Sequence, residues 1–340
     1  MVIPMVFGEP DREKGSSSFV IVFSCWNTMV GSAMVALPWA FQSSGLLFGI
    51  VVSFVSFIIS FYTCALIIKS AKNDTDYIFT LKKYYGKPGY YMGLIGPTIL
   101  IFGAITVYFV VIVQSLYPLL VVVIKEVFKM EYTMINPLEQ PYCRLETFSA
   151  SYVALFEYVL LVSISMKRDL SIFLKLGSLG AFCVTTLIVF VVIYGFLGIS
   201  DTNHEFDAGP TPDNPDGAVW QNDSPDTVTI LLYNHNFSNL AGVLCAGYFI
   251  HQCTLPIIAK AAEPEKNIRN VFLGYLMVFL SYITVGSLGY FAFTGTKFKD
   301  TYYALQSRSQ PGLGIINQNF LNMFTYDQVP AILIRTLIYI

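Results

Sequence analysis

The chain has 340 residues, of which 55% are hydrophobic and 12% are charged, and its formal net charge at pH 7 is −2. Soluble globular proteins carry roughly a quarter charged residues, so this is not the composition of an ordinary soluble domain. The near-neutral charge, with no basic helix and no nucleic-acid motif, gives no support for binding of nucleic acid.

The charged residues are segregated along the chain, since residues 15–68 and 92–124 contain no Asp, Glu, Lys, Arg or His. About 20 consecutive apolar residues are enough for a helix to cross a lipid bilayer. The sequence therefore predicts an all-α, multi-pass membrane protein whose complete spans are 16–41, 46–68, 93–124, 148–166, 170–199, 237–259 and 270–296. An eighth span begins after Asp327 and is unfinished at Ile340, which predicts that the chain is incomplete at its C-terminus.

The predicted organisation is a short cytosolic tail over residues 1–18, followed by one transmembrane domain over residues 19–340. Residues 69–92 are expected to form a polar loop that is partly helical. Residues 200–236 are rich in Asp, Asn, Pro and Gly, which is typical of an irregular loop.

The distribution of Lys and Arg predicts the orientation of the chain. With a cytosolic N-terminus, 13 of the 20 basic residues lie on the cytosolic side and 6 on the opposite side. Basic loops stay in the cytosol, so the N-terminus is predicted to be cytosolic. The acidic loop 199–236 then faces the lumen or the exterior, where the sequons at Asn222 and Asn236 are candidate glycosylation sites.

The first span has a centre that is unsuited to a straight helix. Small and polar residues cluster there, and Pro38 follows; the cluster comprises Asn27, Thr28, Gly31, Ser32 and Ala33. Proline removes a backbone donor, and freed backbone groups in lipid need partners, so broken helices persist where they line a protein cavity. Residues 28–33 are therefore a candidate binding site at mid-membrane. The alternative is a kinked helix whose small residues serve close packing.

The sixth span has a similar interruption, in which Gly247 is followed by Tyr248, Phe249 and His251, and then by Pro256. It is the fifth span after the first, and because five is odd the two broken spans run in opposite directions. Two interrupted helices in an inverted repeat form the central site of many transporters. The alternative is that two helices containing Gly and Pro coincide by chance.

The residue types at the two breaks suit a small zwitterion. The N-terminus of a half-helix presents free N–H groups that attract a carboxylate. Oxygens of Asn27, Thr28 and Ser32 can accept bonds from an ammonium group or coordinate Na⁺. His251 is the only histidine within a span, where two roles are open: gating or proton coupling, and a neutral imidazole bonded between helices. The sequence contains no zinc-ligand cluster, phosphate loop or nucleophile elbow, so catalysis has no support.

Four runs of the sequence resemble the amino acid/auxin permease family, and within it the lysosomal, arginine-responsive branch of solute carrier family 38. They are WNTMVGSAMVALPWAFQSSG, GYFIHQC, EPEKNIRNVFLGYLMV and INQNFLNMF. The resemblance implies an eleven-helix, LeuT-like inverted-repeat fold with broken helices 1 and 6, of which this chain covers helices 1 to 7 and the start of 8.

The resemblance also implies functional residues. The implied substrate contacts are Thr28, Met29, Val30, Gly31 and Ser32, and the break itself adds Ala33, Gly247, Tyr248 and Phe249 as candidates. Asn27 is implied to belong to a sodium site shared with helix 8. Arginine, glutamine and leucine are candidate substrates. The short N-terminal tail argues against the Rag–Ragulator partner known in that branch, and Leu255-Pro256-Ile257 resembles the wider group instead.

The sequence is compatible with three alternative functions. The leading hypothesis is a secondary transporter of amino acids in the lysosomal or vacuolar membrane, coupled to Na⁺ or H⁺. The second is a sensor that binds an amino acid and reports by a change of conformation with little flux. The third is a membrane scaffold with kinked helices that transports nothing.

Overall fold

The structure, a computed structural model, describes residues 15–31, 33–72, 74–128, 150–166, 171–209, 227–259, 261–295, 316–324 and 328–339. The chain divides into two compact units, one of Met1–Phe102 with Val184–Met323 and the other of Gly103–Cys183 with Phe324–Ile340. The broken spans and the helix that packs on them all belong to the first unit.

The described chain is mostly helical. In chain order the α-helices are α1 (Ser18–Met29), α2 (Ala33–Ser44), α3 (Leu46–Ala71), α4 (Tyr77–Phe128), α5 (Ala150–Ser165), α6 (Ser171–Asp201), α7 (Ser238–Gly247), α8 (His251–Ile258), α9 (Asn267–Thr294) and α10 (Val329–Tyr339). Short 3₁₀ turns lie at Pro264–Lys266 and Phe320–Met323.

Among the described residues, five stretches of helix are long and apolar enough to cross a membrane, and the bent pair α1 and α2 makes a sixth. The prediction of a multi-pass membrane protein is confirmed. The predicted span 148–166 corresponds to α5, of which 16 residues are described.

The loop predicted over residues 69–92 was expected to be partly helical, and the structure makes it helical over most of its length, which corrects the extent of the helix. Helix α4 begins at Tyr77 and runs through the predicted third span, with one kink where Gly86 takes φ 65° and ψ −144°. Glycine tolerates this positive φ, and Pro88 follows in the first turn of the next helical stretch, where its missing N–H costs nothing.

The loop predicted over residues 200–236 contains a short parallel sheet, which is a second correction. Strand β1 (Asn203–Asp207) pairs with β2 (Thr227–Leu231), with His204 opposite Val228 and Phe206 opposite Ile230. The β-branched run of β2 is largely buried, so burial outweighs the turn-forming composition of the surrounding loop. After β2, Tyr233 lies so close to Gly45 that a Cβ there would be 2.6 Å from the tyrosine backbone.

Helix α9 is the core element of the first unit, because it packs against α1, α2 and α3. Its glycines allow close approach along the whole broken first span. A Cβ at Gly274 would lie 2.6 Å from the Cβ of Cys25, and a Cβ at Gly289 would lie 2.4 Å from Cγ of Pro38. One uninterrupted helix thus lines both halves of the broken one.

Candidate functional site

The first span is interrupted at Val30 and Gly31. Helix α1 ends at Met29, and Val30 takes an extended conformation with φ −76° and ψ 113°. Helix α2 begins at Ala33 and is bent by 64° from α1. The break lets carbonyl oxygens such as that of Met29 bond outside the helical ladder, as a buried helix end requires.

The sixth span is interrupted over Tyr248, Phe249 and Ile250, between the end of α7 and the start of α8. The Tyr248 N–H still donates to the carbonyl of Leu244 at 2.8 Å, so the helical ladder stops just after α7. The next helix starts when the Ile250 carbonyl accepts the N–H groups of Cys253 at 2.8 Å and Thr254 at 3.0 Å.

Two tyrosines of α9 bond to backbone carbonyls at these two breaks. The Tyr282 hydroxyl donates to the carbonyl oxygen of Met29 at 3.0 Å, and the Tyr275 hydroxyl donates to that of Tyr248 at 3.3 Å. The ring of Tyr248 lies between them, 6.0 Å from that of Tyr275 and 5.4 Å from that of Tyr282. Helix α9 therefore brings the two interrupted segments together.

The predicted substrate residues of the first span lie in different environments. Thr28 is exposed, and its hydroxyl donates to the Ser24 carbonyl of its own helix at 2.7 Å. The side chains of Met29 and Val30 are buried, so these residues could offer a ligand only backbone atoms. Asn27, Gly31 and Ala33 are half-buried. Ser32 lies outside the described residues.

The predicted substrate residues of the sixth span also differ in how deeply they are buried. Tyr248 is only 1% exposed and is packed within the protein. Gly247 is buried beneath the ring of Tyr282, while Phe249 is half-buried and its ring lies 6.0 Å from that of His251. The backbone of this segment, more than its side chains, is the part placed beside the first break.

His251, the first residue of α8, is bonded to the neighbouring helix α3. Its Nε2 lies 2.8 Å from Oγ1 of Thr63, whose hydroxyl is also 3.0 Å from the carbonyl oxygens of Ile59 and Ser60. The hydroxyl can donate to a carbonyl and accept from an imidazole N–H, so this geometry accommodates both the neutral and the charged ring.

The ion and glycan sites stay predictions. Within the part of the chain that the structure describes, no group of three or more His, Cys, Asp or Glu side chains could hold a metal ion. A sodium site built from amide, hydroxyl and carbonyl oxygens, as proposed for Asn27, is a different kind of site. Asn236 is exposed in the turn before α7, and Asn222 lies outside the described residues.

Outside the spans, one histidine has a perturbed pKa. Burial lowers the pKa of His204 from its usual 6.5, against a smaller upward effect of its hydrogen bond with the Thr202 backbone. The ring packs edge-on to Phe291 of α9 at 5.2 Å. The neighbouring strand β2 is also attached to α9, because the Leu231 N–H donates to the Tyr290 hydroxyl at 3.3 Å.

Sequence reasoning missed Tyr275 and Tyr282, which read as ordinary aromatic residues of an apolar span. Their signal is spacing: they lie seven residues apart, so both face the same side of α9, which is also the side of Gly289. A second missed contact links Cys64 of α3 to Thr254 of α8, whose Sγ and Oγ1 atoms are 3.1 Å apart.

Known proteins resemble this chain in sequence over most of its length. The profile of the family described as transmembrane amino acid transporter protein matches residues 14–307. The sodium-coupled neutral amino acid transporter 9 homolog of Caenorhabditis elegans is 26% identical over 81% of this chain and 50% of its own length. The neutral amino acid transporter 9 of Danio rerio is 24% identical over 81% of this chain and 54% of its own.

A rat relative named putative sodium-coupled neutral amino acid transporter 11 is 24% identical over 86% of this chain and 57% of its own. The chain thus spans about half the length of the curated relatives it matches. The resemblance to solute carrier family 38, and to its member 9, is confirmed by these matches. Because the profile covers most of the chain, the protein belongs to the family of transmembrane amino acid transporters.

Proposed function

We propose that the protein is a secondary active transporter that exports amino acids from a lysosome or vacuole in symport with Na⁺ or H⁺. One observation carries the proposal: two candidate membrane spans are interrupted, and the interrupted segments meet beside α9. Exposed backbone groups are tolerated at membrane depth where they face protein or line a cavity, which makes this junction the natural substrate site.

In this proposal the substrate lies at the break between α1 and α2. The first turn of α2, which begins at Ala33, would offer backbone N–H groups to the carboxylate of an amino acid, although the Met34 N–H already donates to the Gly31 carbonyl at 3.1 Å. In the same proposal, the oxygen atoms of Asn27 and Thr28 bind the positive charge, which is either the ammonium group of the substrate or a sodium ion. The fold is proposed to be the LeuT-like inverted repeat that the resemblance implies, which would alternate access around this fixed site.

The topology and location form part of the same proposal. The N-terminus is proposed to be cytosolic, with β1, β2 and the exposed Asn236 on the lumenal side, where Asn236 and Asn222 would carry glycans. Arginine, glutamine and leucine are the proposed substrates. The names of the relatives refer to neutral amino acids and to sodium coupling, which supports glutamine, leucine and Na⁺ but not the charged arginine.

The test is counterflow of labelled amino acids in proteoliposomes that contain the full-length protein. Counterflow with a sodium or proton gradient supports transport, whereas saturable binding without flux supports the sensor instead. If the protein shows neither flux nor binding, only the scaffold hypothesis is left.

Two variants test the site. Asn27→Ala should raise the sodium concentration for half-maximal flux, by about 5- to 150-fold if one buried bond worth about 1–3 kcal/mol is lost. Ser32→Trp should block flux at any sodium concentration, because an indole would fill the break. Gly242→Ala is a matched control, since a Cβ there has no atom within 4 Å. Normal flux and normal sodium dependence in both variants would show that the break is only a kink and not a binding site.

A further inference from the structure

The bond between Tyr282 and the first break depends on a glycine of the second break. A Cβ at Gly247 would lie 2.5 Å from the hydroxyl oxygen of Tyr282, 2.9 Å from its Cε2 and 3.0 Å from its Cζ. Real Cβ atoms essentially never come closer than 3.0 Å to such atoms. Tyr282 can therefore reach the Met29 carbonyl only because residue 247 has no side chain.

The carbonyl that Tyr282 contacts is the one released by the break. In an uninterrupted helix the Met29 oxygen would accept the N–H of residue 33, four positions on. Here the chain turns away at Val30, and the oxygen accepts the Tyr282 hydroxyl at 3.0 Å. Met29 and Tyr282 are both buried, so no water replaces this donor if the hydroxyl is lost.

We propose that Tyr282 is a positioning residue that sets the geometry of the first break and couples it to the second through Gly247. The inference rests on the proposed function, because the break that Tyr282 holds is the proposed substrate site. Tyr282 itself would not touch the substrate. A shift of the Gly247 segment must move the Tyr282 ring, and the ring carries the hydroxyl that holds Met29.

Tyr275 shows the same principle at the second break, where its hydroxyl donates to the Tyr248 carbonyl at 3.3 Å. The three rings of Tyr248, Tyr275 and Tyr282 then form one aromatic cluster, with all three side chains nearly or fully buried. A dense aromatic cluster transmits displacement, since packed interiors have few voids to absorb it.

The conservative variant Tyr282→Phe keeps the ring and removes only the hydroxyl. We expect its half-saturating substrate concentration in counterflow to rise about tenfold, the change that a loss of ~1.4 kcal/mol produces. Tyr290→Phe is the matched control: Tyr290 is equally buried on the same helix, but its hydroxyl accepts the Leu231 N–H of β2. The control should leave substrate affinity unchanged.

Gly247→Ala should disturb the same bond between Tyr282 and Met29, because the new Cβ would displace the tyrosine ring. It should raise the half-saturating substrate concentration by a similar factor. If both changes act through one bond, the double variant should be little worse than either single variant, because contacting residues are not additive. Two independent tenfold effects would instead multiply to about a hundredfold, which would overturn the coupling.

A second readout does not require transport. In the Thr28→Cys background, the rate of labelling by a thiol reagent reports the position of the exposed last turn of α1. Tyr282→Phe and Gly247→Ala should each change this rate, and Tyr290→Phe should not. An unchanged rate in Tyr282→Phe overturns the inference even in a protein that transports. A changed rate in a protein without flux sustains the inference and refutes only the proposed function.

Discussion

The close approach of α9 to the second half of the broken span makes a sharp prediction for Gly286→Ala. A Cβ at this position would lie 2.3 Å from both Cδ2 and Cε2 of Phe41 in α2. The Phe41 ring is completely buried, so it cannot turn out into solvent. The substitution therefore forces either the ring or the α9 backbone to move.

The magnitude follows from two opposing effects. Replacing glycine by alanine inside a helix stabilises it by about 0.8–1 kcal/mol, whereas overpacking a filled core costs about 1–3 kcal/mol. Gly242→Ala should show only the gain in helix stability, because its new Cβ meets no atom within 4 Å. The difference in unfolding free energy between the two variants should therefore be the overpacking cost alone.

The assay is thermal unfolding of the purified variants in detergent, followed by size-exclusion chromatography. Since 1 kcal/mol moves the Tm of a domain of 150–250 residues by about 2–4 °C, Gly286→Ala should melt several degrees below Gly242→Ala. Adding Phe41→Leu, which removes the ring atoms in the way, should recover part of the loss. Equal Tm values for the two alanine variants would refute the packing of α9 on α2 described above.

Three further predictions concern charge and orientation. If His251 couples protons, His251→Gln should flatten the pH dependence of flux near the titration range of histidine, whereas an unchanged profile would indicate the bond between α8 and α3 as its whole role. Cysteines at Lys83 and Glu205 should react with an impermeant reagent from opposite sides of the membrane, and labelling from one side would overturn the topology. Because burial lowers the pKa of His204, the folded state favours the neutral ring, so Tm should fall as pH drops below about 6.5 and this fall should be smaller in His204→Gln.

The sequence was sufficient to predict the two interruptions, because their causes are local. Gly31 in the first span, and Gly247 in the sixth, each lie where the helix stops, and a proline follows in the resumed helix. Span boundaries depend on runs of apolar residues, so the predicted start of the second span at Leu46 coincides with the start of α3. The third span was predicted to start at Gly93, whereas α4 starts at Tyr77, because the polar residues before Gly93 resemble a loop even though they are helical.

Contacts between residues that are distant in the sequence could not be predicted from the sequence. The polar strand β1 is recognisable only beside β2, and the two are separated by 19 residues of loop composition. Likewise the Ile316 N–H donates to the Gln42 side chain at 2.9 Å, across 274 residues of sequence. Such pairings arise from the folded arrangement of helices, for which residue spacing within one helix carries no information.

The choice of tyrosine at the breaks has a physical reason that the neighbouring hydroxyl residues of α9 make clear. Short hydroxyl side chains on this helix donate to the carbonyl four residues earlier in the same helix, as observed for Ser281, Ser287 and Thr294. The hydroxyls of Tyr275 and Tyr282 lie at the far edge of a rigid ring, too distant to bond to their own turn. Buried phenols need a partner, and the carbonyls released at the two breaks need a donor. One uninterrupted helix with tyrosines two turns apart therefore supplies the donors that the carbonyls of two broken helices lack.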